Sequence, residues 1–234
     1  MHVLYLFDID GTLLRADGAG RRAFDRVMLA HHGIAQASHD IQFGGKTDRW
    51  LVDEVYQARL HRAARTAEVD AFIADYLVLL DEELQAKPLR VLPDVVACLR
   101  WLQQLPNVTL GVATGNVRRG AELKLAQAGL TDMFVFGGWG CDSADRPTLV
   151  QRAVERGRDL VPPAQRTNTF PIVVGDTVHD IAAARMAGAH ACAVTTGGDS
   201  RSTLAAADVV FDGLGELPAW HAAKFPTATP FSIE

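Results

Sequence analysis

Six short stretches of this chain are apolar almost to the last residue, and helical patterns separate most of them. Residues 3–7, 108–113, 134–136, 171–175, 190–194 and 208–211 read as strands. Helical periodicity occupies 94–105, 117–128, 147–159 and 178–187, and a short helix is expected near 200–206. A strand with no polar alternation must be covered on both faces, and strands joined through helices run parallel. The expected fold class is therefore α/β, a doubly wound parallel sheet. The interval after the first strand is different, because residues 16–88 carry helical patterns only. One runs over 18–32 with Gly33 suited to its C′ position. A second starts at Thr47, a candidate N-cap, and holds Trp50, Leu51, Val55 and Ala58. A third is a long amphipathic stretch with Val69, Phe72, Ile73, Tyr76, Leu77, Leu80 and Leu84 on one side. Pro88 and Pro93 punctuate the return. This predicts a core made of 1–16 and 88–234, with an all-helical domain inserted at 17–87. The segment from Pro218 onward reads as a surface extension.

Composition narrows the function classes. Hydrophobic residues make up 48% and charged residues 22%, which excludes a disordered or collagen-like chain. Lys plus Arg number 23 against 28 Asp plus Glu, with no basic block, so neither nucleic acid nor an anionic membrane is an expected partner. Cys98, Cys141 and Cys192 are widely spaced and form no CxxC pair, which fits a reducing compartment. No run of about 18 uncharged apolar residues exists, and Asp8 interrupts the N-terminal apolar stretch too early for a signal peptide. The expected location is the cytoplasm.

Three of the strands end alike. An apolar run gives onto Asp8-Ile9-Asp10-Gly11-Thr12, onto Thr114-Gly115-Asn116, and onto Gly175-Asp176-Thr177-Val178-His179-Asp180. In an open parallel sheet, ligands bind beyond the carboxyl ends of the strands. If the three strands share a sheet, Asp8, Asp10, Asp176 and Asp180 crowd together, and carboxylates so placed repel unless a cation lies among them. Oxygen ligands without a Cys/His cluster favour Mg²⁺ over zinc. One Asp at a strand end is ordinarily a turn or cap residue. The joint pattern, with a hydroxyl from Thr114, has the composition of a phosphate site.

These residues resemble the haloacid dehalogenase (HAD) superfamily. Asp8-Ile9-Asp10-Gly11-Thr12-Leu13 is similar to its first motif, Thr114-Gly115-Asn116 to its second, and Gly175 through Asp180 to its fourth, in order and over nearly the whole chain. The helical insertion resembles the C1-type cap of the phosphoglycolate-phosphatase-like branch. The resemblance implies a Mg²⁺-dependent phosphatase acting on a small phosphorylated metabolite. Asp8 would be the nucleophile that forms an aspartyl-phosphate. Asp10 would protonate the leaving oxygen and later activate water, with its backbone carbonyl facing the metal. Asp8 and Asp176 would ligate Mg²⁺ directly, and Asp180 would hold a metal-bound water or orient a base. Thr114 would hydrogen-bond the transferring phosphoryl group. Gly11, Thr12, Gly115 and Asn116 would complete the phosphate-binding loops, and Lys46 would face the substrate from the cap.

The family generally supplies a lysine before the fourth motif, and this chain has none between Lys124 and Lys224. Arg146, thirty residues before Asp176 and followed by Pro147, is the expected substitute, since a guanidinium can grip two phosphoryl oxygens. Lys124, about seven residues into its helix, is expected on a solvent-facing side. The alternatives are a phosphomutase of the same superfamily and a non-catalytic phosphate-binding or regulatory member.

Overall fold

The computed structural model describes residues 1–226. Strand β1 (His2–Phe7) lies at the centre of a six-stranded parallel sheet, as the unbroken apolar run from Val3 to Phe7 requires. Its neighbours are β4 (Val108–Ala113) and β6 (Thr169–Gly175), and β5 (Phe136–Gly138), β7 (His190–Val194) and β8 (Val209–Phe211) extend the sheet to the order 5-4-1-6-7-8. Phe7 pairs with both Val112 and Val174. The last residues of the three central strands therefore share one edge.

Alternate residues of β1 serve opposite faces, following the two-residue period of a strand. Val3, Tyr5 and Phe7 join a core with Leu110, Val112, Ile172 and Val174, covered by α4 (Val95–Gln103), α5 (Arg118–Gln127) and α8 (Leu217–Lys224). Leu4 and Leu6 face the other way, under α6 (Arg146–Leu160) and α7 (Val178–Met186). No helix among the described residues is long and apolar enough to cross a membrane.

A two-stranded antiparallel ribbon, β2 (Leu14–Arg15) with β3 (Arg90–Val91), brackets the helical block. Neither strand was expected, since two residues leave no periodicity to read. Between them run α1 (Ala19–His32), α2 (Asp48–Leu60) and α3 (Thr66–Ala86). Helix α1 stops at Gly33 with φ 70°, and Thr47 caps α2 by accepting from the Trp50 N–H, as the residue types predict. Phe24 stands at the centre of the block, its ring 4.9 Å from Phe72 and 4.8 Å from Tyr76. The apolar packing does not break where 17–87 meets the rest. Phe24, Val55, Phe72 and Leu80 belong to the same cluster as Leu110 and Val112 of the sheet.

Three expectations need correction. The fifth strand is 136–138, not 134–136. Val135 is 67% exposed, and Gly138 takes the strand position because α6 packs so close that a Cβ there would lie 2.3 Å from the Leu149 carbonyl oxygen. The helix expected near 200–206 is a single 3₁₀ turn at Thr203–Ala206. The segment from Pro218 is not wholly a surface extension. Up to Lys224 it belongs to α8, where Leu217 and His221 are buried and the Tyr5 hydroxyl lies 2.8 Å from His221 Nδ1. Residues 227–234 of that segment lie outside the described residues.

Candidate active site

The shared strand edge gathers the candidate site residues. Asp8 follows β1, Thr114 follows β4 and Asp176 follows β6, so the sheet itself sets their spacing. Asp8, Asp10, Thr114, Gly115, Asn116 and Arg146 line one cavity of about 220 Å³, closed from above by residues of the helical block.

Carboxylate oxygens of Asp8, Asp176 and Asp180 lie within 4.8 Å of one another, and all three residues are buried. Burial pushes the carboxyl of Asp8 well above the usual carboxylate range. Arg146 works against that shift, and Asp180 and Asp10 add to it. Asp176 is raised for the same first reason, with Asp8 and Asp180 adding to the effect and the hydroxyl of Thr12, 3.1 Å away, opposing it. Three buried carboxylates with one guanidinium between them form an oxygen-donor set that a divalent cation fits. Asp176 is held by its surroundings: Gly11, at φ +87°, passes so close that a Cβ there would lie 2.4 Å from Asp176 Oδ2.

Arg146 lies at the same strand edge. Asp145 caps α6 by accepting from the Thr148 N–H, and this sets Arg146 in the first turn, beside the strand edge. Its Nη2 lies 3.0 Å from Asp8 Oδ1 and 2.5 Å from Asp180 Oδ1. Nη1 donates to the Gly45 carbonyl of the helical block at 3.2 Å. Burial works against its charge, but Asp180 and Asp8 more than offset that. Its Nε–H is buried without a partner among the described residues. Asp180 is held from the other side by a capping box with Thr177, whose hydroxyl donates at 2.6 Å.

The carboxylate of Asp10 is not part of the acidic triad. Its Oδ2 accepts from Asn116 Nδ2 at 2.8 Å and from Lys124 Nζ at 2.6 Å. Asn116 also donates to Thr114 Oγ1, and its Oδ1 accepts from Lys124 at 2.7 Å. Lys124 is thus not solvent-facing. It is 5% exposed and runs into the site. The Cα–Cβ bonds of a helix tilt toward its N-terminus, so a four-carbon stem starting two turns into α5 reaches back to the strand edge. Packing of α3 on α5 closes that face from water.

The helical block contributes two residues that the sequence pattern did not single out for chemistry. Asp48 and Tyr76 are both buried and both line the cavity. The Asp48 N–H donates to the Gly115 carbonyl at 2.8 Å, and its Oδ2 accepts from the Val117 N–H at 2.8 Å. Lys46 borders the same cavity with its ammonium paired to both oxygens of Glu54, at 2.7 and 2.6 Å. Thr12, buried at 1% exposure, serves Asp176 rather than the cavity.

This constellation has known counterparts. Residues 3–188 match the haloacid dehalogenase-like hydrolase family. The chain is 29% identical over 238 residues to the "Probable phosphatase IndB" of Dickeya dadantii (strain 3937), covering 99% of each. Its fold is similar to that of CbbY from Rhodobacter sphaeroides, solved in complex with phosphate: TM-score 0.69, 19% identity, 93% of this chain and 96% of that one. A mutant of the same protein, solved with xylulose-(1,5)bisphosphate, gives a TM-score of 0.68 at 20% identity, with 93% and 96% coverage. With the family matched over most of its length and the acidic edge in place, the chain belongs to the haloacid dehalogenase-like hydrolases.

Proposed function

We propose that this protein is a Mg²⁺-dependent phosphatase that hydrolyses a small phosphomonoester through an aspartyl-phosphate on Asp8. The observation that carries the reading is the floor of the cavity. A buried carboxylate oxygen of Asp8 lies 3.0 Å from a buried guanidinium that still has an unmet donor.

In the first step an Asp8 oxygen attacks phosphorus, the bond to the leaving oxygen breaks, and Asp10 gives that oxygen its proton. In the second, Asp10 takes a proton from water as the water oxygen attacks phosphorus, which frees Asp8 and inorganic phosphate. Arg146 and the Thr114 hydroxyl hold the equatorial phosphoryl oxygens, and Asn116 and Lys124 hold Asp10 in register. Asp8, Asp176 and the Asp10 carbonyl would hold Mg²⁺, with Asp180 beside them, and the ion would offset the repulsion between Asp8 and an anionic substrate.

The helices of 17–87 act as the cap that decides which leaving group fits. The three free thiols, Cys98, Cys141 and Cys192, support a reducing, cytoplasmic setting. The test is phosphate release from p-nitrophenyl phosphate by the purified protein. Activity is expected to vanish in EDTA, to return with Mg²⁺, and to be absent in folded Asp8→Asn protein. Turnover by Asp8→Asn would rule out the covalent route.

A further inference from the structure

The cavity above Asp10 has a definite chemical character, and it bears on the leaving group. Its volume of about 220 Å³ lies below the ~300 Å³ at which ordinary ligand pockets begin, so the leaving group is small. Four cations border it, and each is already paired, with only the Nε–H of Arg146 left unmet. Arg146 is held by Asp8 and Asp180, Lys124 by Asp10 and Asn116, and Lys46 by Glu54. Arg21 is held by the carbonyls of Ser38 and Ile41.

Two polar groups of the helical block also remain uncommitted. Tyr76 is 1% exposed, and its hydroxyl has no hydrogen-bond partner among the described residues. That hydroxyl borders Gly20, where a Cβ would come within 3.4 Å of it. Asp48 gives Oδ2 to the Val117 N–H, while its Oδ1 has no partner among the described residues. Burial raises the Asp48 carboxyl to about 6 against the pull of Lys124, so it remains mostly an ionised acceptor at neutral pH. Tyr76 and Asp48 both line the cavity, so a ligand hydroxyl placed there can pair with each of them.

We propose that the cavity takes a small, uncharged, hydroxyl-bearing leaving group, hydrogen-bonded by Tyr76 and Asp48, and disfavours a phosphomonoester that carries a second carboxylate. This rests on the phosphatase reading and narrows its substrate class. Hydroxyl groups can donate to Asp48 and accept from Tyr76. A carboxylate would meet Asp48 with no free cation nearby to offset the repulsion.

The test compares kcat/KM for glycerol 3-phosphate, ethyl phosphate and 2-phosphoglycolate, with p-nitrophenyl phosphate as the reference for chemistry. The wild type is expected to favour glycerol 3-phosphate over each of the other two alkyl substrates by about tenfold or more, the worth of one well-placed hydrogen bond. Tyr76→Phe is expected to shrink the glycerol-to-ethyl ratio about tenfold, whatever its absolute rates. Asp48→Asn keeps an acceptor for Val117 and is expected to shrink the disadvantage of 2-phosphoglycolate. If p-nitrophenyl phosphate is hydrolysed but 2-phosphoglycolate is the best alkyl substrate, or if Tyr76→Phe leaves the ratio unchanged, the substrate class is wrong and the phosphatase reading stands. If no phosphomonoester is hydrolysed, both fail.

Discussion

Replacing Lys124 by Met tests the reasoning about Asp10 most sharply, because the stem survives and only the ammonium is lost. Two hydrogen bonds disappear, to Asp10 Oδ2 at 2.6 Å and to Asn116 Oδ1 at 2.7 Å. A hydrogen bond involving a charged group contributes ~1.5–3 kcal/mol. The Asp10 side chain is 42% exposed, so water takes over much of the first bond and its share falls to about 1 kcal/mol. With the buried Asn116 bond at full value, the two together come to about 2.5–4 kcal/mol, or roughly 5–16 °C in Tm for a chain of this size. The kinetic effect is separate. Asp10 Oδ2 keeps only the Asn116 donor, and Asn116 has itself lost the partner that fixes its amide. A general acid contributes roughly 10²–10⁴-fold, and a loosened one forfeits part of that. Lys124→Met is therefore expected to lower kcat/KM on an alkyl phosphate about 10–100-fold. The loss on p-nitrophenyl phosphate should be several times smaller, because nitrophenolate departs with little help from a proton. Steady-state kinetics on both substrates, with a thermal melt to confirm folding, decide the matter. An equal loss on the two substrates, or no loss in either, would refute the view that Lys124 acts through Asp10.

Other substitutions probe the rest of the edge. Arg146→Ala is expected to cost at least a hundredfold in kcat, about 2.7 kcal/mol, and Arg146→Lys to recover part of it, because charge returns without the fork. The same Arg146→Ala change leaves Asp8 and Asp180 without their cation, so urea unfolding in EDTA should show a loss of about 3–5 kcal/mol. Asp8 and Asp176 have folded-state pKa values raised above their unfolded ones, so without a divalent ion their contribution to stability falls as pH rises above about 4 toward the raised values. The increase in Tm on adding Mg²⁺ should accordingly be larger at pH 8 than at pH 5; a larger increase at pH 5 would contradict the assignment. Gly11→Ala places a Cβ on the Asp176 carboxylate in a backbone conformation that L-residues avoid, and it should raise the Mg²⁺ concentration needed for half-maximal activity.

Much of the architecture was legible because burial on both faces leaves a plain mark. The runs at 3–7, 108–113 and 171–175 are all strand, and their ends do meet, which brings Asp8, Thr114 and Asp176 to one edge. Arg146 was legible through its neighbour Pro147, which suits the first turn of a helix. The misreadings share a cause. Lys124 lies two turns from the strand edge by count, yet side-chain length and helix tilt carry its ammonium back, and the packing of α3 is a tertiary fact with no local signal. Asp48 carried no signal of its own, because its place at the cavity depends on α2 meeting the loop at Gly115. At β5 the aromatic residues of 134–136 outbid the glycines, although helix proximity demands glycine in the strand.

The apolar cluster that runs without interruption from Phe24 and Phe72 to Leu110 and Val112 restricts how the molecule can move. A lid hung on the β2–β3 ribbon alone would swing freely and melt on its own. Here, lifting the three helices away as a leaf would wet shared core, and each 200 Å² of apolar surface so exposed costs about 5 kcal/mol. Substrate entry is then expected to proceed by shear, a slide of a few ångströms that keeps the packed surfaces in contact. The same continuity ties the melting of the helices to that of the sheet, so calorimetry should record one cooperative transition rather than two.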